Sequence, residues 1–162
     1  MRIDDASQDA IYRVALRMRA LDLAEFSACL PVDDREGVAV MLAERYGKLT
    51  GTMAFGAGDA PMAIGGGYEF RPGSLSLLFF ATDEFPTIAY GLTRWMSRTY
   101  IPAMAAAGIH RIEAVSSMAY GEMHRWLGML GFRKEGEHPS WGKRGETFAT
   151  FAWVADARPA RH

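Results

Sequence analysis

Apolar residues in the first third of the chain recur at three- and four-residue intervals. Ile11, Val14, Ala15 and Met18 follow Ser7, a natural helix cap, and Asp9 sits in the favourable first turn. The helical pattern continues, with a bend, through Leu21, Phe26 and Leu30 as far as Pro31. Asp33 and Asp34 open another helix striped by Val38, Met41, Leu42 and Tyr46, with Gly47 as its stop. Met1 to Asp5 is short enough for a first strand. Between residues 50 and 82 the period changes. Thr52–Phe55, Pro61–Phe70 and Leu75–Thr82 are separated by Gly56-Ala-Gly-Asp and Arg71-Pro-Gly-Ser, which is turn chemistry, so three strands form an antiparallel meander. A long helix over Thr87–Ala107 follows, kinked at Pro102 and ended by Gly108. His110–Val115 is then a strand, Ala119–Leu130 a helix, Arg133–Glu137 a strand start and Thr147–Val154 a last strand. This order predicts a mixed sheet flanked by helices, one domain over residues 1–154, and a loose polar tail over 155–162.

Composition narrows the class. Of the 162 residues, 49% are hydrophobic and 23% charged, enough to bury a sizeable core. The net charge of −1 argues against a surface built for nucleic acid or an anionic membrane. Cys29 is the only cysteine, which suits a reducing cytoplasm, and it reads as a packed small residue. With no basic-then-apolar leader and no membrane-length apolar run, the expectation is a soluble cytoplasmic protein. No histidine, cysteine or carboxylate cluster has metal-ligand spacing.

The stretch from Ser117 to Gly136 reads SMAYGEMHRWLGMLGFRKEG. Met123, Trp126, Leu127 and Leu130 recur at helical spacing, Gly131 allows the left-handed backbone that closes a helix, and Phe132 folds back to seal it. A strand ending at Val115, this helix and Gly-Phe before a charged strand resemble the last third of the GNAT acyltransferase fold. That family reads approximately V-x-x-x-x-N-x-x-A-x-x-x-Y-x-x-x-G-F here. The likeness spans about Arg2 to Val154. A narrower likeness is to the GNAT-like internal virion proteins of short-tailed bacteriophages and prophages, carried by Pro61-Met-Ala-Ile-Gly-Gly, Phe80-Ala-Thr-Asp, His124-Arg-Trp-Leu-Gly-Met-Leu-Gly-Phe, Phe148 and Phe151.

The resemblance implies an α/β fold with a mostly antiparallel sheet of six to seven strands and about four helices. It also implies acetyl-CoA as the acyl donor, and a small-molecule or protein amine as the acceptor. Under it, Phe80, Ala81 and Thr82 would present main-chain groups to the pantetheine arm, and Ala89, Tyr90 and Gly91 would face the pyrophosphate. The family loop resembles Q/R-x-x-G-x-G/A. Here it is Ala81-Thr-Asp-Glu-Phe-Pro-Thr-Ile-Ala-Tyr-Gly, with one glycine, no arginine, and two acids at Asp83 and Glu84. Those acids oppose a diphosphate, and Pro86 removes a donor, so the cradle reads as degraded. Glu84 is equally a first-turn helix residue, with Thr82 or Asp83 as its cap.

Acyl transfer to an amine needs a base and is helped by an acid near the thiol. The family tyrosine falls at Leu127, which cannot donate. Tyr120 stands where the family has asparagine and is either an acid or a packed aromatic. Ser116 and Ser117 either bind substrate or cap a helix; His124 either titrates near neutral pH or is a solvated surface residue. Glu69, Asp22 and Glu25 are the candidate bases, the last two also lying where relatives contact acceptors. Gly65-Gly66-Gly67 either admits a ligand to the backbone or bends the sheet. Two functions therefore stand side by side: an N-acetyltransferase, and a non-catalytic module whose partners are phage structural proteins.

Overall fold

In the structure, a computed structural model describing residues 1–156, seven strands form one sheet in the order β1-β2-β3-β4-β5-β7-β6. They are β1 (Arg2–Asp5), β2 (Met53–Ala57), β3 (Ala60–Arg71), β4 (Ser74–Ala81), β5 (Arg111–Ser117), β6 (Arg133–His138) and β7 (Phe148–Val154). Every neighbouring pair is antiparallel except β4 and β5. This is the mixed, mostly antiparallel sheet predicted. Residues 157–162 of the expected tail lie outside the described residues. Among those described, no helix is long and apolar enough to cross a membrane.

Alternation along the strands divides the core into two layers. Ala54, Ile64, Leu78 and Phe80 face α1 (Gln8–Leu16), α2 (Ala20–Cys29) and α3 (Arg35–Tyr46), packing against Ile11, Val14, Val38 and Leu42. Phe55, Ala63 and Ile112 face the other way, onto Leu92, Met96 and Leu127 of the second helical layer. That layer holds α4 (Pro86–Trp95), α5 (Ile101–Ala106) and α6 (Gly121–Met129). Caps fix the helix starts: Ser7 accepts from the Ala10 amide at 3.0 Å and Asp34 from the Gly37 amide at 2.9 Å.

Two departures from the predicted elements matter. The bent helix expected up to Pro31 is two helices. Met18, fully buried, forms an isolated bridge to Thr82, and the Arg19 amide donates to the Ala81 carbonyl at 2.8 Å. The Arg17 and Met18 amides close α1, and the chain at Met18–Arg19 then pairs with the sheet, with no glycine or proline to announce it. The kink expected at Pro102 takes the form of a π-helical turn, Met96–Tyr100, one step earlier, and the helix then resumes as α5.

The end of α6 behaves as its sequence implies. Gly131 sits at φ 90°, its amide donates to the Gly128 carbonyl at 3.1 Å, and the Phe132 amide donates to the Leu127 carbonyl at 3.0 Å. This pair of bonds is a Schellman closure, sealed by buried Phe132. The chain then enters β6 at once.

β4 and β5 pair only at Ser74–Ser76 against Arg111–Glu113. Beyond that, β4 follows β3 to Ala81 and β5 follows β7 to Ser117, so the two strands diverge. The Thr82 amide donates to the Met62 carbonyl at 2.8 Å. Counting back by twos, Phe80 and Leu78 also bond toward β3, and the main-chain groups of Ala81 and Phe79 face the opening between β4 and β5.

Candidate functional site

The opening is a notch entered from both layers. From one side comes Asp22, in the first turn of α2; from the other comes Tyr120, which caps α6. Asp22 is 1% exposed, and its carboxylate is fully engaged. Oδ2 accepts from the Ala81 amide at 2.9 Å and from Arg19 Nε at 2.9 Å; Oδ1 accepts from Arg19 Nη2 at 3.2 Å and from the Tyr120 hydroxyl at 2.8 Å. A buried carboxylate persists when it is paired and hydrogen-bonded in this way. Burial, followed by the Asp22 charge, pushes the Tyr120 hydroxyl well above its usual range, so it stays protonated with its hydrogen on Asp22.

Glu25 follows one turn later on the same face of α2. Its Oε1 accepts from the Ser116 hydroxyl at 2.6 Å and from the Ser117 amide at 2.6 Å. Among the described residues no cation is bonded to it. Burial dominates and raises its pKa to about 7, against the lowering effect of those two bonds. Its carboxylate therefore exchanges a proton near neutral pH, the property asked of a general base.

Aromatic rings fill the notch on the second layer. Phe79 and Trp126 lie 5.0 Å apart between ring centres, and Phe79 and Phe85 5.4 Å. The Trp126 indole nitrogen donates to Thr93 Oγ1 at 2.9 Å. The Arg19 guanidinium lies over Phe85 at 5.0 Å and Tyr120 at 5.7 Å. Beside them a cavity of about 390 Å³ opens between the starts of α4 and α6, walled by Phe79, Phe85, Pro86, Ala89, Met123 and Trp126, with Asp83 and Glu122 also on its lining. It is within the size range of small-molecule sites.

Several predicted residues are brought together here: Tyr120, Asp22 and Glu25, with Ser116 and Ser117 attached to Glu25. Ser117 also accepts from the Ala119 amide through its hydroxyl, a turn bond before α6 and not a cap on it, since the N-cap residue is Tyr120. Glu69 lies elsewhere. It accepts from the Gly73 amide at 2.7 Å in the β3–β4 turn, and its cross-strand partner Leu75 is six residues from Ala81, roughly 20 Å along the strand. It is no base for this notch. Phe80 turns its ring into the opposite core, edge-on to Phe26 at 5.5 Å, and the Thr82 amide is taken by β3; Phe79 is the residue that faces the opening. Ala81 faces it too, but its amide and carbonyl are held by Asp22 and Arg19. Ala89, Tyr90 and Gly91 are inside α4, where amides serve the helix itself. His124 is half-buried rather than solvated: its Nε2 donates to the Ser117 carbonyl at 2.9 Å, its ring is 4.8 Å from that of Phe151, and burial lowers its pKa. Cys29 is exposed at the last residue of α2, not packed. The three glycines of β3 make room for protein. A Cβ would meet the Gly51 carbonyl oxygen at 2.7 Å from Gly66 and the Tyr100 hydroxyl at 2.5 Å from Gly67.

Arg19, Phe79, Phe85 and Trp126 were not singled out as site residues from the sequence. The spacing of Arg19 three residues before Asp22 was the available signal.

No family model matches the chain, and no curated protein matches it. Solved structures do. The chain is similar to yncA of Salmonella typhimurium, solved with its cofactor acetyl-CoA (TM-score 0.71, 15% identity, 100% of this chain and 98% of that one). It is also similar to the ribosomal-protein-S18-alanine N-acetyltransferase of Escherichia coli (TM-score 0.69, 15% identity, 99% and 98%) and to a GNAT-family acetyltransferase of Bacillus anthracis (TM-score 0.69, 11% identity, 94% and 93%). The chain has the GNAT fold.

That fold implies coenzyme A, whose diphosphate needs free amides at a helix start. At the start of α4 they are taken. The Phe85, Thr87 and Ile88 amides donate to the Thr82, Glu84 and Phe85 carbonyls at 2.9–3.0 Å, and Pro86 has none. The nearby cations are paired: Arg17 with Glu84 at 2.9 Å, Arg19 with Asp22. Asp83 and Glu122 add negative charge. The start of α4 does not fit a diphosphate. The apolar walls below it fit an uncharged arm.

Proposed function

We propose that this chain is an acyltransferase of the GNAT fold, moving an acetyl group from a thioester to a small-molecule or protein amine. The observation that carries the reading is Glu25, a carboxylate with a pKa of about 7 beside the divergence of β4 and β5. An ammonium nucleophile must lose a proton before it attacks, and a base poised near the working pH does this best. Glu25 accepts that proton as the amine nitrogen bonds to the acyl carbon and the carbon–sulfur bond breaks; the thiolate released is reprotonated by solvent or by the Glu25 acid. Ser116 and the Ser117 amide hold the carboxylate in place. Asp22 and Arg19 keep Tyr120 oriented and protonated, so Tyr120 shapes the notch and is not a proton donor in this arrangement.

The test incubates the protein with an acetyl thioester and a panel of amines, following thiol release and the mass of the product. Acetylated amine is expected, with the rate lowered on the order of 100-fold in Glu25→Gln and an activity limb near pH 7. Equal thiol release with and without protein, for every amine, overturns the reading.

The closed apex favours a second reading. Asp22 occupies the Ala81 amide, and Trp126 and Leu127 stand where a donor tyrosine is expected, as suits a non-catalytic module that assembles with phage structural proteins. Association with such proteins, with no turnover, is its distinguishing result.

A further inference from the structure

We infer that the notch takes its acyl thioester on a bare pantetheine arm and discriminates against the same arm carrying a nucleotide diphosphate. This rests on the acyl-transfer reading and specifies its donor. The cavity of about 390 Å³ corresponds to roughly a dozen water volumes, room for an arm but not for an arm and its nucleotide together. Its walls are largely aromatic and apolar, with Arg19 on the lining held by Asp22, and the Phe79 amide and carbonyl face the opening, so an amide of an extended arm finds one peptide edge to pair with. The match ends at the mouth. Asp83 and Glu122, both exposed, stand where phosphates would pass, the amides at the start of α4 are taken, and Arg17 is paired to Glu84. A dianionic group there meets two like charges, and the start of α4 offers it no free amide.

Two sources supply such an arm: the free acyl-pantetheine, and the phosphopantetheine of a carrier protein, whose single phosphate stays outside on the carrier. Calorimetric titrations of the full chain at one ionic strength use S-acetyl-pantetheine, an acetylated carrier protein and acetyl-CoA as three separate probes. Acetyl-CoA is expected to bind no more tightly than S-acetyl-pantetheine. In Asp83→Asn/Glu122→Gln the affinity ratio of acetyl-CoA to S-acetyl-pantetheine is expected to rise about fivefold or more, since each removed charge is worth about that factor at contact distance. The carrier arm binding more tightly than the free arm assigns the donor to a carrier; the reverse assigns it to the free thioester. Acetyl-CoA binding tenfold more tightly than S-acetyl-pantetheine in the unmodified protein overturns the inference and leaves acyl transfer standing. Binding of none of the three overturns both.

Discussion

The two ends of β4 are built on opposite principles. At Ser74–Ser76 both edges of the strand are hydrogen-bonded, to β3 and β5, and the polar side chains nearby form partly exposed ion pairs such as Arg111 with Glu113 at 2.6 Å. Toward Ala81 only the β3 edge is paired with a strand; the vacated edge is met by the Arg19 main-chain amide and the Asp22 side chain. Backbone satisfies backbone at one end. At the other, the Asp22 carboxylate takes the Ala81 amide and the Arg19 main-chain amide meets the Ala81 carbonyl, while the Arg19 guanidinium and the Tyr120 hydroxyl hold that carboxylate and bring chemistry with them. At the notch the sheet's own bonding is handed in part to the Asp22 side chain, so stability and function there depend on the same few residues.

Breaking Asp22 gives the largest effect. Asp22→Ala leaves the Ala81 amide and the Tyr120 hydroxyl without their acceptor and Arg19 without its partner, so a loss of about 3–5 kcal/mol is expected in urea unfolding. A loss below about 1 kcal/mol would mean that water readily replaces the carboxylate. Trp126→Ala removes ring contacts with Phe79 and Phe85 from a half-buried site, for an expected loss of about 2 kcal/mol. It also enlarges the cavity, and dye or thioester binding in the variant measures that second consequence.

Glu25→Gln acts with the opposite sign. The folded pKa of about 7 lies above the ordinary carboxylate value of 4.5, so the native state binds this proton more tightly than the unfolded chain. That contribution is complete below the unfolded value and is lost as pH rises through 7. The amide mimics the protonated form. Thermal melts should therefore show the variant about 1–3 kcal/mol more stable than the parent at pH 8 and nearly equal at pH 4. A variant less stable at pH 8 would place a net attraction, not a desolvation penalty, on the Glu25 charge. The smallest effect belongs to the closed end. Glu113→Ala loses partly exposed pairs with Arg71 and Arg111 and is expected to change stability by less than about 1 kcal/mol.

Much of the fold was legible because its periodicities are strong and its punctuation is explicit. Gly131 closes α6 with the bonds its sequence implies, and Ser7 and Asp34 cap their helices. The break at Arg17–Arg19 was not legible, because the competing partner, the Thr82–Ala81 edge, lies more than 60 residues away. Periodicity within the first 30 residues cannot register it. The same limit explains the notch. Asp22, Glu25 and Tyr120 were identifiable as chemically able residues, but their convergence depends on how β4 and β5 diverge. Phe80 and Phe79 differ by one position, and a one-residue shift reverses the face of a strand. Glu69 was a reasonable carboxylate at the wrong end of β4.

The most direct test of the notch is amide and indole NMR during addition of S-acetyl-pantetheine. The account predicts shifts at the Phe79 amide and the Trp126 indole, with Leu75 and Ile112 at the closed end unmoved. Shifts confined to residues away from the divergence of β4 and β5, or none at saturating ligand, would contradict it.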